Sequence, residues 1–112
     1  MPRRKDVLQG TLDLLILRVL AQGPQHGWGL MQRLRLLTDD VFQAAPGSVF
    51  PALQRLEDQG WLLGEWAMSE NNRRARYYSL TREGRRHFSD ELGHWQRMSR
   101  AVNLVLAASL KG

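Results

Sequence analysis

"APGSVFPALQRLEDQGWL", residues 45–62, decides the fold, because its second half reads as a helix while its first half carries Gly47, Ser48, Phe50 and Pro51. Val49, Ala52, Leu53 and Leu56 stand at i, i+3, i+4 and i+7, the spacing of one buried helix face, and Gly60 is a natural stop. The opposite face shows Gly47, Pro51, Gln54, Arg55 and Asp58. Two starting points are open. With Ser48 as N-cap, Pro51 falls in the first turn, where a backbone N–H has no intrahelical partner anyway. With Pro46 as the first helical residue, Pro51 lies inside the helix and would kink it.

Working upstream, "VFQAA" is a short extended link, and residues 27–38 form a helix with Leu30, Met31, Leu34 and Leu37 inward. "GPQHG" breaks the chain before it. Residues 10–22, "GTLDLLILRVLAQ", place Leu12, Leu15, Ile16, Val19 and Leu20 on one face and Leu14 and Leu17 off it. A helix apolar nearly all round has to be covered on two sides, by its own domain and by a second subunit. Working downstream, "WLLGEWAM" and "RARYYSL" flank "SENNR", whose Asn71-Asn72 pair suits a tight turn, and predict a β-hairpin. Thr81 is a good N-cap for a last helix from about 82 to 110. On that helix Phe88, Leu92, Trp95, Val102 and Leu106 recur at coiled-coil intervals, a stripe too long for its own small domain to cover.

The order helix, helix, helix, hairpin, long helix predicts a mainly α fold with a small β-hairpin. It is that of a winged helix-turn-helix at 1–80 followed by a C-terminal dimerisation helix at 81–112. In that fold the third helix enters the major groove and the hairpin lies along the flanking backbone. Ser48, Gln54 and Arg55 can then hydrogen-bond to base edges or phosphates, Phe50 can meet a thymine methyl, and Pro51 and Gly47 allow close approach. The plainer reading is that Ser48 caps and Phe50 packs. "NNRRAR" brings Arg73, Arg74 and Arg76 to the hairpin tip, suited to phosphates or a narrow minor groove, although a basic run is often only a solvated face. Arg3, Arg4 and Lys5 precede the first helix and offer a basic arm, with a disordered terminus as the alternative reading.

Composition agrees. Sixteen Lys and Arg against eleven Asp and Glu give +5 over 112 residues, which favours an anionic partner, nucleic acid or an anionic membrane surface. There is no cysteine, hence no disulfide framework, thiol nucleophile or Cys-based zinc site. The first apolar run carries Asp13 and Arg18, lacks a small-residue cleavage site and is too short to span a bilayer, so the expectation is a soluble, cytoplasmic protein without a membrane partner. His26, His87 and His94 are scattered. His87 and His94 are one heptad apart, not the i, i+4 of a metal pair, and no phosphate loop or nucleophile elbow is present. No catalytic residue, metal or cofactor is expected. His26 joins the candidate DNA-facing residues, with surface solvation as its alternative. Trp28, Trp61 and Trp66 are expected to be structural, whereas Trp95, on the interface stripe, can pack across a dimer or sandwich a flat aromatic ligand.

"LQGTLDLLILRVL", "GPQHGWGL", "GSVFPALQRLEDQGWL" and "ARYYSLTREGRR", in that order, resemble the PadR family of bacterial transcriptional regulators in its short form, with one C-terminal helix. "SENNRRARYYSLT" is similar to a subgroup frequent in Acidobacteria. The resemblance implies a homodimer whose last helix packs on the partner's first, through Leu12, Leu15, Phe88, Leu92, Trp95, Val102 and Leu106. It implies repression of a neighbouring promoter at an inverted-repeat operator in double-stranded DNA, relieved by a small, often aromatic effector. Ser48 matches the serine of the family's "GSLYP" motif. Phe50 stands where that motif has tyrosine, and Trp28 where "HGYG" has one, so two phenolic hydroxyls are missing. The competing class is a winged-helix protein-interaction module whose basic face is incidental.

Overall fold

The computed structural model describes residues 4–109, and residues 4–9 by their backbone only. Arg3 of the expected basic arm lies outside the described residues, and Arg4 and Lys5 outside the described side chains. The elements are α1 (Arg4–Leu20), β1 (Gln25–His26), α2 (Gly27–Leu37), α3 (Pro46–Asp58), β2 (Leu62–Met68), β3 (Arg74–Leu80) and α4 (Arg82–Ala107).

α1 is the spine of the core. Ile16, Leu17 and Leu20 are sealed against Leu30 and Leu34 of α2 and Val49, Leu53 and Leu56 of α3, with Leu62 and Tyr78 closing the sheet side. Leu17 is as buried as Ile16, as a helix apolar on all sides requires. Leu12 is also core, only 5% exposed within its own chain, so it offers no free surface to a second subunit. Leu15, at the edge of the same cluster, is only partly covered. Leu37 departs from its expected inward position and is exposed. It is the last residue of α2.

The sheet has three strands, not two, in the order β1-β3-β2, all antiparallel. β1 adds Gln25 opposite Tyr78 and His26 opposite Tyr77. The β2–β3 ribbon runs in register from Leu62↔Leu80 to Met68↔Arg74. Its turn is longer than an Asn-Asn pair alone: the Ser69 N–H donates to the Arg73 carbonyl at 2.7 Å, and Asn72 takes the left-handed conformation, φ 58°.

Two caps set the angle of the last helix. α3 is closed by Gln59 and then Gly60, φ 82°, with Gly60 N–H donating to the Glu57 carbonyl and Trp61 N–H to the Leu56 carbonyl, which satisfies the last turn and reverses the chain into β2. Thr81 caps α4 as expected: its Oγ1 accepts from Gly84 N–H at 2.9 Å and donates to the Gly60 carbonyl at 2.7 Å. Gly84 lies against the Trp61 carbonyl, where any Cβ would collide with it. The His87 ring stacks on Trp61 at 3.5 Å, so His87 is a packing residue.

Beyond that junction α4 leaves the domain. Phe88 packs on the core and Leu92 is half-buried, whereas Trp95, Met98, Val102, Val105 and Leu106 are largely exposed. The radius of gyration is 16.1 Å with a long axis of 62 Å, against about 13 Å for a compact chain of this length. Among the described residues no helix is long and apolar enough to cross a membrane.

Candidate nucleic-acid interface

α3 begins at Pro46, not at Ser48. Proline is favoured at the first helical position, and the Ala45 carbonyl accepts from both Ser48 and Val49 N–H at 3.0 Å. Ala45 therefore caps without a side chain, and Ser48 keeps its hydroxyl for another use. Pro51 sits inside the helix, which continues across it. Lacking an N–H, it cannot bond the Gly47 carbonyl four residues back, but that side of α3 is exposed. The burial of Val49, Ala52, Leu53 and Leu56 holds the helix together across the defect. On the outer face Gly47, Ser48, Pro51 and Gln54 are all exposed, and Gln54 Nε2 meets Asp58 Oδ1 at 2.9 Å.

Arg55 does not share that availability. Its NH1 and NH2 donate to both carboxylate oxygens of Asp13 at 2.7 and 2.9 Å, a bidentate pair tying α3 to α1. The hydrogen bonds to Asp13 and its charge push the Arg55 pKa above its ordinary value, against a smaller effect of burial. A second strut joins α3 to the ribbon: Arg76 NH2 donates to Glu57 Oε2 at 2.6 Å. That hydrogen bond is the main reason the Arg76 pKa is also raised. Thus two of the arginines expected to face DNA brace the recognition helix. Asp13 and Glu57, their partners, were legible only as charges on helix faces, since the pairs span 42 and 19 residues.

At the ribbon tip Arg73 and Arg74 are exposed, with no carboxylate partner among the described residues. Arg74 lies over the Trp66 ring at 5.0 Å, and Arg76 over the same ring at 5.7 Å. Trp66, expected to be structural, is 57% exposed. The observed register, centred on Asn71 and not between Asn71 and Asn72, is what pairs Trp66 with Arg76 and Met68 with Arg74.

At the start of α2, His26 Nδ1 accepts from Gly29 N–H at 3.0 Å and its ring meets Tyr77 edge-on at 5.1 Å. His26 is the N-cap of α2, which leaves only its other nitrogen for an outside partner. Trp28 packs edge-on against Phe50, ring centres 5.9 Å apart, and both rings keep exposed surface beside the α3 N-terminus. Gly27 makes room for Phe50, because a Cβ there would run into its ring.

A helix pair held at a fixed angle, its second member exposed along one face beside a basic antiparallel ribbon, defines a winged helix-turn-helix DNA-binding protein. Residues 16–90 match the profile of the transcriptional regulator PadR-like family, and the chain belongs to that family. It is a DNA-binding regulator of transcription and not an enzyme.

Its architecture is similar to that of a transcriptional regulator from Clostridium thermocellum, at 26% identity and a TM-score of 0.79, covering 88% of this chain and 95% of that one. A Streptococcus transcriptional regulator is similar at 29% identity and a TM-score of 0.76, covering 88% and 95%. An uncharacterized protein of Lysinibacillus sphaericus is 23% identical over 103 residues, 92% of this chain and 94% of its own length. The transcriptional regulator YqjI of Escherichia coli is 32% identical over 57 residues, 51% of this chain and 28% of that longer protein.

Proposed function

We propose that the protein is a cytoplasmic homodimeric repressor of a neighbouring promoter. Residues 1–80 bind an inverted-repeat operator, and residues 81–112 join two copies. The observation that carries the reading is the outer face of α3, where Ser48, Pro51 and Gln54 are open to solvent while two ion pairs fix the helix to α1 and β3. A rigid helix with a small-residue N-terminal end fits a major groove, and Arg73 and Arg74 reach the flanking backbone. Two such units related by a two-fold axis meet grooves one turn apart, about 34 Å.

The exposed apolar part of α4, from Trp95 to Leu106, supports dimerisation with Leu15 and Phe88 at its margin. Trp95 is half-exposed on that stripe and is the residue proposed to stack on a small aromatic effector. Tryptophan emission quenched by planar aromatics, and spared in Trp95→Ala, supports that role; equal quenching in the variant removes Trp95 from it.

The test of DNA reading is a gel-shift series. Arg74→Ala weakens binding to all sequences alike and lowers the salt slope by about 0.9. Ser48→Ala and Gln54→Ala each relax preference at one position, by about 1–3 kcal/mol. A flat response to all three contradicts the assignment.

A further inference from the structure

The end of α3 and the start of α4 are tied together at one junction. Thr81 belongs to both sides of it: its Oγ1 accepts from Gly84 N–H in the first turn of α4 at 2.9 Å and donates to the carbonyl of Gly60, which closes α3, at 2.7 Å. The Thr81 N–H donates to the Trp61 carbonyl at 3.1 Å, and the Trp61 N–H donates to the Leu56 carbonyl of α3, also at 3.1 Å. From the same residue the Trp61 ring stacks on His87 of α4, with the planes 8° apart and the ring centres at 3.5 Å. Gly84 permits this approach, since it carries no Cβ to strike the Trp61 carbonyl. Past Phe88 and Leu92 the helix leaves the domain, so the direction of its exposed stripe is set by this junction and by the packing of α1 against α4.

We propose that Thr81, Trp61 and His87 are positioning residues that set which half-site spacing the protein accepts. This rests on the reading above, in which α4 joins two copies and α3 reads DNA. With α4 locked to α3 in each copy, the separation and relative twist of the two recognition helices are fixed before a duplex is met. One base pair added between half-sites shifts one of them by about 3.4 Å and turns it by about 34°, which, shared by two copies, asks about 17° of each junction. One helical turn from the pivot, about 5.4 Å, that rotation moves an atom by about 1.6 Å. Such a movement takes the 2.7 Å hydrogen bond of Thr81 out of range and parts the stacked rings. Spacing is thus selected through the junction, and base identity through α3.

The experiment uses an inverted-repeat duplex selected from a random pool with the wild-type chain, then rebuilt with one base pair added to or removed from its centre. Wild type is expected to bind the selected spacing about thirtyfold tighter than either altered one, the factor carried by one hydrogen bond lost at each of two junctions. Thr81→Val, which keeps the shape without the hydroxyl, and His87→Ala, which removes the stack, each narrow that ratio to about fivefold while base preference at every position stays that of wild type. Thr81→Ser and His87→Phe, which keep the hydroxyl and a stacking ring, restore it. Ile16→Val, a core substitution that also lowers stability, retains the wild-type ratio. A wild-type chain indifferent to spacing overturns the inference, as does a ratio unchanged in both Thr81→Val and His87→Ala, or one that falls equally in Ile16→Val. Failure of the wild type to select any two-fold site overturns the homodimeric DNA reading itself, and the inference with it.

Discussion

Removing the Asp13 carboxylate tests whether Arg55 braces α3 or reads DNA. The pair is bidentate at 2.7 and 2.9 Å, with side chains 33% and 21% exposed, so it is neither a solvated surface pair nor a sealed one. Exposed pairs contribute about 0.2–1 kcal/mol, and stripping one partner from a buried pair costs about 3–5 kcal/mol. Solvent screening of the exposed third places the coupling here near 1 kcal/mol. Its sign does not change near neutrality, because the hydrogen bonds to Asp13 raise the Arg55 pKa and the guanidinium stays charged. Urea unfolding of wild type, Asp13→Ala, Arg55→Ala and the double variant, at one protein concentration, measures it. Each single variant is expected to lose about 1–2 kcal/mol, with the double variant about 1 kcal/mol short of the sum. All four chains should rank operator sequences identically. Additivity to within about 0.3 kcal/mol refutes the strut. So does an Arg55→Ala chain that loses preference at one base position while Asp13→Ala does not.

Gly84→Ala drives a methyl into the Trp61 carbonyl and should cost about 2 kcal/mol, read as a lower urea midpoint at unchanged slope. Thr81→Ala removes the α4 cap and should cost about 1 kcal/mol, with Thr81→Ser recovering most of it in thermal unfolding. Val102→Glu and Leu106→Glu place charges on the exposed α4 stripe and should give a folded monomer by sedimentation, with intact far-ultraviolet dichroism and weakened binding to an inverted repeat.

Most of the architecture was legible because it follows from periodicity and punctuation. The i, i+3, i+4, i+7 rows of α3, Gly60 as its stop and Thr81 as the α4 cap are local signals, and the structure keeps all three. β1 was not legible. Two residues have no periodicity, and their strand character comes from pairing with Tyr77 and Tyr78, more than fifty positions away. The start of α3 was ambiguous for a related reason: Ser48 is a better cap than Ala45 by local chemistry, yet packing of Val49 and Leu53 and the preference of Pro46 for a first turn set the boundary earlier.

At the site, Ser48, Pro51 and Gln54 could be read from the outer face of α3. The roles of Arg55 on α3 and Arg76 on β3 could not, since an arginine looks the same in sequence whether it meets a phosphate or a carboxylate from a distant segment. The exposure of Trp66 was not legible, because only the register of the ribbon places it opposite Arg76 rather than in the core.

The central claim is that two copies of α3, joined through α4, read one two-fold site. Selection of binding sites from a random duplex pool, followed by the mass of the resulting complex, tests it most directly. The account predicts an inverted repeat with half-site centres about 34 Å apart, or a multiple of that, bound by two chains. Enrichment of a single asymmetric half-site bound by one chain, or no enrichment at all, contradicts it.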